Sequence, residues 1–215
     1  MKEAPRQRPT SPQRRASAPP YRPATPTLVP ESVAPRIIPA RIVIRPARPD
    51  DLEDATLLER RVWGPLSATL NELQRRLFAL PEAFLQAEMQ RPGLPPKIVG
   101  MINGLIWTRD HPRSFAGYEK TLPSSSHNPR GEVLFVVSIG VDPMWRGRGI
   151  AFRMVREIVE VGRRRHLKSL RLIANSRSQP LYLRSGFQPI RPLPGIYRRH
   201  RNLMPRPVLM ELPLP

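Results

Sequence analysis

Hydrophobic and polar positions after residue 40 follow two periods, which together predict a domain of helices and strands. A period of two, or a short uninterrupted apolar run, predicts strands, and a period near 3.6 predicts helices. The predicted strands cover residues 41–45, 83–88, 97–107, 132–141, 169–174, 187–190 and 207–212. The predicted helices begin at Pro49 and Thr69 and cover residues 149–165 and 177–184. The predicted order is therefore β-α-α-β-β-β-α-β-α-β-β.

Helix signals support this assignment at two places. Thr69 and Glu72 have the spacing of a capping box, which predicts the start of the second helix. Its inward face is predicted to hold Leu70, Leu73 and Leu77. The helix over 149–165 is predicted to place its apolar stripe inward, namely Met154, Val155, Ile158 and Val161.

Residues 1–40 have a different composition from the remaining chain. They contain ten of the 29 prolines and few large apolar side chains. Such a segment buries too little surface to offset its ordering entropy, so we expect a disordered Pro/Arg-rich tail before one domain at 41–215. The tail contributes +5 of the net charge of +19, which leaves +14 for the domain. Two interpretations of the tail stay open: an arm for weak nucleic-acid contacts, or a solvated extension.

Composition narrows the chemistry further. The chain has no cysteine, which excludes disulfides, thiolate metal ligands and a cysteine acyl-enzyme. No apolar run approaches the length of a membrane span, and the first residues lack the apolar core of a signal peptide. We therefore expect a cytoplasmic protein without a metal and without membrane contact. The oligomeric state stays open, with a homodimer as one option.

One segment has the pattern of a phosphate-binding turn. An apolar strand ends at Val141, a glycine-rich turn follows at 146–149, and a helix begins directly after it. Glycines let the backbone approach an anion, and the free amides of the first helical turn point toward it. A P-loop is excluded because its Lys-Ser/Thr pair is missing, and a Rossmann fingerprint is excluded because Phe152 occupies the third glycine position.

The turn and a second motif resemble the GNAT superfamily of N-acyltransferases. The first motif is Arg-x-x-Gly-x-Ala, from Arg146 to Ala151, after a Val-Asp-Pro corner. The second is Asn175-x-x-Ser178-x-x-Leu181-Tyr182-x-x-Ser185-Gly186-Phe187, with Ser178 where alanine is usual. The resemblance covers about residues 41–213 and is strongest over 132–190. It implies an α+β fold with a mixed, mostly antiparallel sheet flanked by helices, and acetyl-CoA as co-substrate.

The resemblance also implies where acetyl-CoA binds. The pyrophosphate is expected on the backbone amides of the turn, contributed by Arg146, Gly147, Arg148, Gly149, Ile150 and Ala151. The pantetheine arm is expected on the free edge of the central strand near Ile139 and Val141, where Gly140 fits an expected bulge. Asn175 is expected to contact this arm, the alternative being a turn residue that ends the strand.

Tyr182 is the catalytic candidate that the second motif implies. In the family this tyrosine protonates the leaving thiolate, and a phenol suits that role because it is protonated at neutral pH. Glu132 is the predicted general base, with Glu88 and His127 as further options. For each of these, a surface carboxylate or a loop residue is the structural alternative.

The acceptor is predicted to be a primary amine of a small molecule. Aromatic residues are predicted near the acceptor side, namely Trp63, Phe78, Trp107, Tyr118 and Phe135. Trp63–Leu66 and Pro81–Glu82 resemble loops of the arylalkylamine N-acetyltransferase branch. The two strand histidines of that branch are replaced by Phe135 and Val137, so its base does not carry over. A peptide N-terminus, or a non-catalytic RNA- or ribosome-associated role, stays open as an alternative.

Overall fold

A computed structural model describes residues 40–110 and 126–215 of the chain. The strands are β1 Arg41–Pro46, β2 Phe84–Arg91, β3 Leu94–Trp107, β4 Val133–Val141, β5 Ser169–Ala174, β6 Gln188–Pro192 and β7 Val208–Pro213. The helices are α1 Leu52–Trp63, α2 Leu70–Ala79, α3 Ile150–Arg164 and α4 Gln179–Arg184. The predicted order of elements is confirmed. The predicted tail, apart from residue 40, lies outside the described residues, as do residues 111–125.

All seven strands form one sheet in the order β1-β2-β3-β4-β5-β7-β6. The pairing of β4 with β5 is parallel, and every other pairing in the sheet is antiparallel. This confirms the predicted α+β fold with a mixed, mostly antiparallel sheet.

Helices pack on both faces of the sheet. On one face α3 buries the four predicted inward residues, Met154, Val155, Ile158 and Val161, against strand residues such as Ile102. On the other face α1 and α2 pack against Phe84 and Met101. No helix in the two described ranges is long and apolar enough to cross a membrane.

The predicted start of α2 is confirmed, but its predicted inward face is partly wrong. The capping box forms: Glu72 N donates to Thr69 Oγ1 at 3.3 Å, and Thr69 N donates to the Glu72 carboxylate at 2.7 Å. Leu73 and Leu77 are buried, whereas Leu70 is 42% exposed. Leu70 is the first residue of the helix, and the packed stripe begins one turn later.

The central strand β4 separates from its parallel neighbour partway along its length. The β4–β5 pairing ends at Val136 opposite Leu172, and no strand among the described residues pairs with the last residues of β4 on that side. On its other side, β4 pairs Val136 with Gly104 and Ser138 with Asn103, which leaves Val137 as the extra residue of a bulge. This opening positions the site described below.

The bulge was predicted at Gly140, and that prediction is wrong. Gly140 pairs regularly with Met101 of β3. A methyl group at Gly140 would lie 3.2 Å from the Val62 side chain of α1. The glycine therefore permits close packing of α1 on β4 rather than a change of register.

Candidate active site

The opening between β4 and β5 leads into two adjoining cavities. The larger, here called the loop cleft, has a volume of about 1150 Å³ and is lined by β4 residues 139–141 and by the glycine turn. The smaller, here called the inner pocket, has a volume of about 310 Å³ and lies between α1, α2 and β4. Residues that line both are Trp63, Ile139, Asn175, Ser178 and Tyr182. A ligand can therefore extend from one cavity into the other.

The glycine turn presents free backbone amides to the loop cleft. Gly147 and Gly149 have φ of 74° and 72°, a left-handed conformation that other residues rarely adopt. The hydrogen bond from Arg153 N to Gly149 O is the first of α3, so the amides of residues 150–152 precede the helical ladder. Together with the helix dipole, these amides form a site suited to a phosphate group.

The two arginines of the turn contact the protein itself. Arg146 Nε donates to the carbonyl of Val141 at 3.1 Å. The Arg148 guanidinium lies 5.0 Å from the centroid of the Trp145 ring. Both side chains therefore stabilise the turn, and the groups by which the turn itself can bind an anion are its backbone amides.

Tyr182 lies on α4 at the junction of the two cavities. It is 3% exposed, and its ring meets Phe187 edge-on with centroids 5.7 Å apart. Burial raises the pKa of the Tyr182 phenol above its usual range. The hydroxyl therefore stays protonated at neutral pH and can act as an acid.

Asn175 lines both cavities, but its side chain is occupied by local hydrogen bonds. Its Oδ1 accepts from Arg177 N at 3.0 Å and from Ser178 N at 2.9 Å. Its Nδ2 donates to Leu203 O at 3.1 Å. These contacts end β5, begin the turn into α4 and hold the segment around residue 203. They match the turn-residue alternative.

A buried carboxylate that the sequence reasoning did not single out lies in the inner pocket. Glu59 of α1 is 2% exposed, and Ser138 Oγ lies 3.0 Å from both of its carboxylate oxygens, to which the hydroxyl donates. Burial raises the pKa of Glu59, against the opposing effects of Arg76 and Ser138. A carboxylate with a raised pKa beside a cavity is a candidate general base.

Two local features bring Glu59 into the pocket. On α1 the buried positions Leu52, Ala55, Thr56 and Glu59 recur at helical spacing, so Glu59 is on the inward stripe. On β4 the bulge at Val137 changes the alternation of the strand, and Ser138 then faces α1. The sequence signal that could have identified Glu59 is a charged residue on an otherwise apolar helical stripe.

The three predicted bases lie elsewhere. Glu132 precedes β4, far along the strand from residues 139–141, and forms an ion pair with Lys168. Glu88 accepts a 2.8 Å hydrogen bond from Arg45 Nε at the β1 edge of the sheet. His127 Nδ1 accepts from Ile106 N at 3.3 Å. None of the three lines the loop cleft or the inner pocket.

Of the aromatic residues predicted near the acceptor side, some line the inner pocket and others lie outside it. Trp63 and Phe135 line the inner pocket, together with Tyr197. Trp107 is buried and stacks on Phe135 with ring centroids 4.1 Å apart, so it supports the wall from behind. Phe78 is 64% exposed outside the pocket. Tyr118 lies outside the described residues.

Fold and site together define a domain with two adjoining cavities at an opened parallel strand pair and a turn suited to phosphate at the larger cavity. A family model described as the acetyltransferase (GNAT) family matches residues 52–187. The chain belongs to this family, and is a GNAT acyltransferase by its fold and family. A search of curated proteins found no match.

Solved structures share the fold at low sequence identity. A GphF GNAT-like decarboxylase in complex with isobutyryl-CoA has a TM-score of 0.65 and 21% identity, over 80% of this chain and 100% of that one. The NatC complex bound to Gag peptide and CoA has a TM-score of 0.63 and 18% identity, over 81% and 99%. The ribosomal-protein-S18-alanine N-acetyltransferase from Escherichia coli has a TM-score of 0.57 and 15% identity, over 80% and 94%. At these identities the likeness shows the fold, and the chemistry of this chain depends on its own residues.

Proposed function

We propose that this protein transfers the acetyl group of acetyl-CoA directly to the primary amine of a small molecule. The observation that carries the proposal is the pair of groups at one cavity: a buried carboxylate, Glu59, and a buried phenol, Tyr182, both line the inner pocket. Burial raises the pKa of Glu59, which makes this carboxylate a stronger base, and the raised pKa of Tyr182 keeps its phenol protonated at neutral pH.

The loop cleft fits the donor. The amides at the start of α3 suit the pyrophosphate of CoA, and the unpaired edge of β4 near Ile139 and Val141 suits its peptide-like pantetheine arm. Above the turn, substituents at Gly147 and Gly149 would meet open space, so a phosphate can approach the backbone closely. The backbone amide of Ile139 is our candidate donor to the thioester carbonyl.

In the proposed reaction Glu59 takes the proton that the acceptor ammonium must lose. The amine nitrogen then attacks the thioester carbonyl carbon, and a carbon–nitrogen bond forms. When the tetrahedral intermediate collapses, the carbon–sulfur bond breaks and Tyr182 Oη protonates the departing thiolate. The nitrogen loses its second proton, which restores the Tyr182 phenol, and Glu59 releases the first proton to solvent. The products are the N-acetylated amine and CoA. No covalent acyl-enzyme is required, in keeping with a chain that has no cysteine.

The inner pocket favours a small acceptor over a polypeptide end. Its volume of about 310 Å³ is at the lower end of the range for small-molecule sites. Trp63, Phe135 and Tyr197 line it with aromatic surface, which suits an apolar or aromatic amine. The buried acid and base also distinguish the enzyme from a non-catalytic RNA-associated protein, which needs neither group.

The test is calorimetric titration with acetyl-CoA, after removal of nucleic acid, followed by a screen of primary amines that detects CoA release. We expect micromolar binding and turnover with aromatic amines. Tyr182→Phe is expected to lower kcat by about 100-fold while the Kd for acetyl-CoA changes little. No acetyl-CoA binding, or an unchanged kcat in Tyr182→Phe, contradicts the proposal.

A further inference from the structure

The segment between β6 and β7 forms one wall of the inner pocket and also carries a dense group of arginines. This segment, residues 193–207, is here called the rim segment. Tyr197 and Met204 line the inner pocket from it. Its ends are joined by a 2.8 Å hydrogen bond from Leu193 N to Pro207 O, and Leu193 and Met204 are buried. The rim segment is therefore anchored to the domain beside the inner pocket.

The chain around the rim segment is strongly cationic. Residues 161–210 contain twelve lysines and arginines and no aspartate or glutamate. Before the rim segment four of these cations form ion pairs, namely Arg163, Arg165, Lys168 and Arg171. In the rim segment Arg198, Arg199 and Arg201 are exposed, and no ion pair among the described residues includes them.

The backbone at Tyr197 links the pocket wall to these arginines. Tyr197 has φ 54° and ψ 30°, a left-handed conformation that costs a non-glycine residue roughly 1–2 kcal/mol. A turn of 3-10 helix, Arg198–His200, follows it directly. Such strain persists where the surrounding structure requires a particular side-chain position, and it concentrates at functional sites. Here it keeps an aromatic ring in the pocket wall, and the residues that directly follow this ring are exposed cations.

The charged side chains that line the inner pocket are two glutamates and one arginine, Glu59, Glu72 and Arg76, so acidic groups outnumber basic ones there. Glu59 and Arg76 are both buried. An acceptor ammonium is attracted to these carboxylates, but it must first approach a domain of net charge +14 whose exposed arginines at 198, 199 and 201 follow the pocket-lining Tyr197. A ligand with an amine at one end and a negative group at the other satisfies both regions.

We infer that the acceptor is a small aromatic primary amine that carries a phosphate or carboxylate group at its far end, bound by Arg198, Arg199 and Arg201. Arginine suits this role because its planar fork pairs with both kinds of anion. The donor is served by other groups: Arg177 and Arg184 line the loop cleft, whereas Tyr197 lines only the inner pocket. This inference rests on the proposed amine acceptor and names its chemical class.

The test measures binding, so that it does not depend on turnover. Calorimetry on the protein–CoA complex compares tyramine with tyramine O-phosphate, and phenethylamine with 4-(2-aminoethyl)benzoate. The first pair tests phosphate and the second tests carboxylate. We expect the anionic member of at least one pair to bind roughly tenfold more tightly, with a preference that falls as ionic strength rises.

Two matched triple variants separate the effect of the rim arginines on binding from the effect of net charge. Arg198→Gln, Arg199→Gln and Arg201→Gln together are expected to abolish the preference and to leave acetyl-CoA affinity unchanged. Arg91→Gln, Arg156→Gln and Arg164→Gln together remove the same charge from exposed positions elsewhere and are expected to keep the preference. Equal binding within both pairs, no binding of any amine, or an effect on acetyl-CoA alone overturns the inference. CoA release with the same amines reports separately on the proposed function.

Discussion

The loop cleft and the inner pocket are neighbours, yet they are built in opposite ways. The loop cleft takes most of its binding groups from one continuous stretch, the end of β4, the glycine turn and the first turn of α3. The inner pocket collects Glu59 from α1, Glu72 and Arg76 from α2, Ser138 from β4 and Tyr197 from the rim segment. A contiguous site leaves a motif in the sequence, whereas a dispersed one becomes visible only when the fold assembles it.

The largest expected effect tests the contiguous site. Gly149→Glu puts a side chain with negative charge over the amides that are proposed to bind pyrophosphate, so acetyl-CoA binding should fall by at least 100-fold. Gly93→Glu is the matched control, because Gly93 has φ 77°, close to the 72° of Gly149, and open space around its Cβ, but lies in the β2–β3 turn. Both variants should lose similar stability, measured by thermal unfolding. Acetyl-CoA binding that survives in Gly149→Glu, measured by calorimetry, would remove the turn from the donor site.

A second pair of variants tests the dispersed site. Glu59→Gln removes the proposed base while keeping the shape of the side chain, so kcat/KM for the amine should fall by about 100-fold or more. Glu132→Gln changes the same functional group outside both cavities, and its kcat/KM should stay within about twofold of the parent. Steady-state kinetics at saturating acetyl-CoA measure kcat/KM for both variants and show which carboxylate is the base. If Glu132→Gln were the impaired variant, the base would act from the other end of β4 and the inner pocket would lose its role.

The contrast between contiguous and dispersed features also explains which parts of the structure the sequence could predict. The order of elements came from periodicity, and the cap at Thr69 came from a local spacing that the structure confirms. The bulge was expected at Gly140 because glycine weakens a strand, but the extra residue is Val137, whose position depends on pairing with β3. The sequence offers no local sign of that register.

The general base was also beyond the reach of sequence reasoning, because its identity depends on contacts between distant residues. Glu132 was favoured because it opens the central strand, a position judged along the chain alone. Glu59 is 79 residues from its hydrogen-bond donor Ser138, so their contact depends on α1 packing across β4. The one available signal was a charged residue on the buried stripe of α1, and it becomes informative once that stripe is known to be buried.

The smallest expected effect concerns stability, and it separates burial of Glu59 from its chemistry. Because burial raises the pKa of Glu59 in the folded state, the folded protein binds a proton more tightly than the unfolded chain does. Stability of the parent should therefore fall as pH rises from the ordinary value of a glutamate, about 4.3, through the raised value, and then level off. Glu59→Gln does not titrate, so its free energy of unfolding should exceed that of the parent by an amount that grows over this window to roughly 1 kcal/mol, or about 2–4 °C in Tm. Thermal unfolding at pH values from 4 to 8 (roughly the range in which a buried carboxyl titrates) measures the difference. A constant difference across this range would mean that Glu59 titrates normally, and a glutamate of ordinary pKa is a poor base for an ammonium at neutral pH.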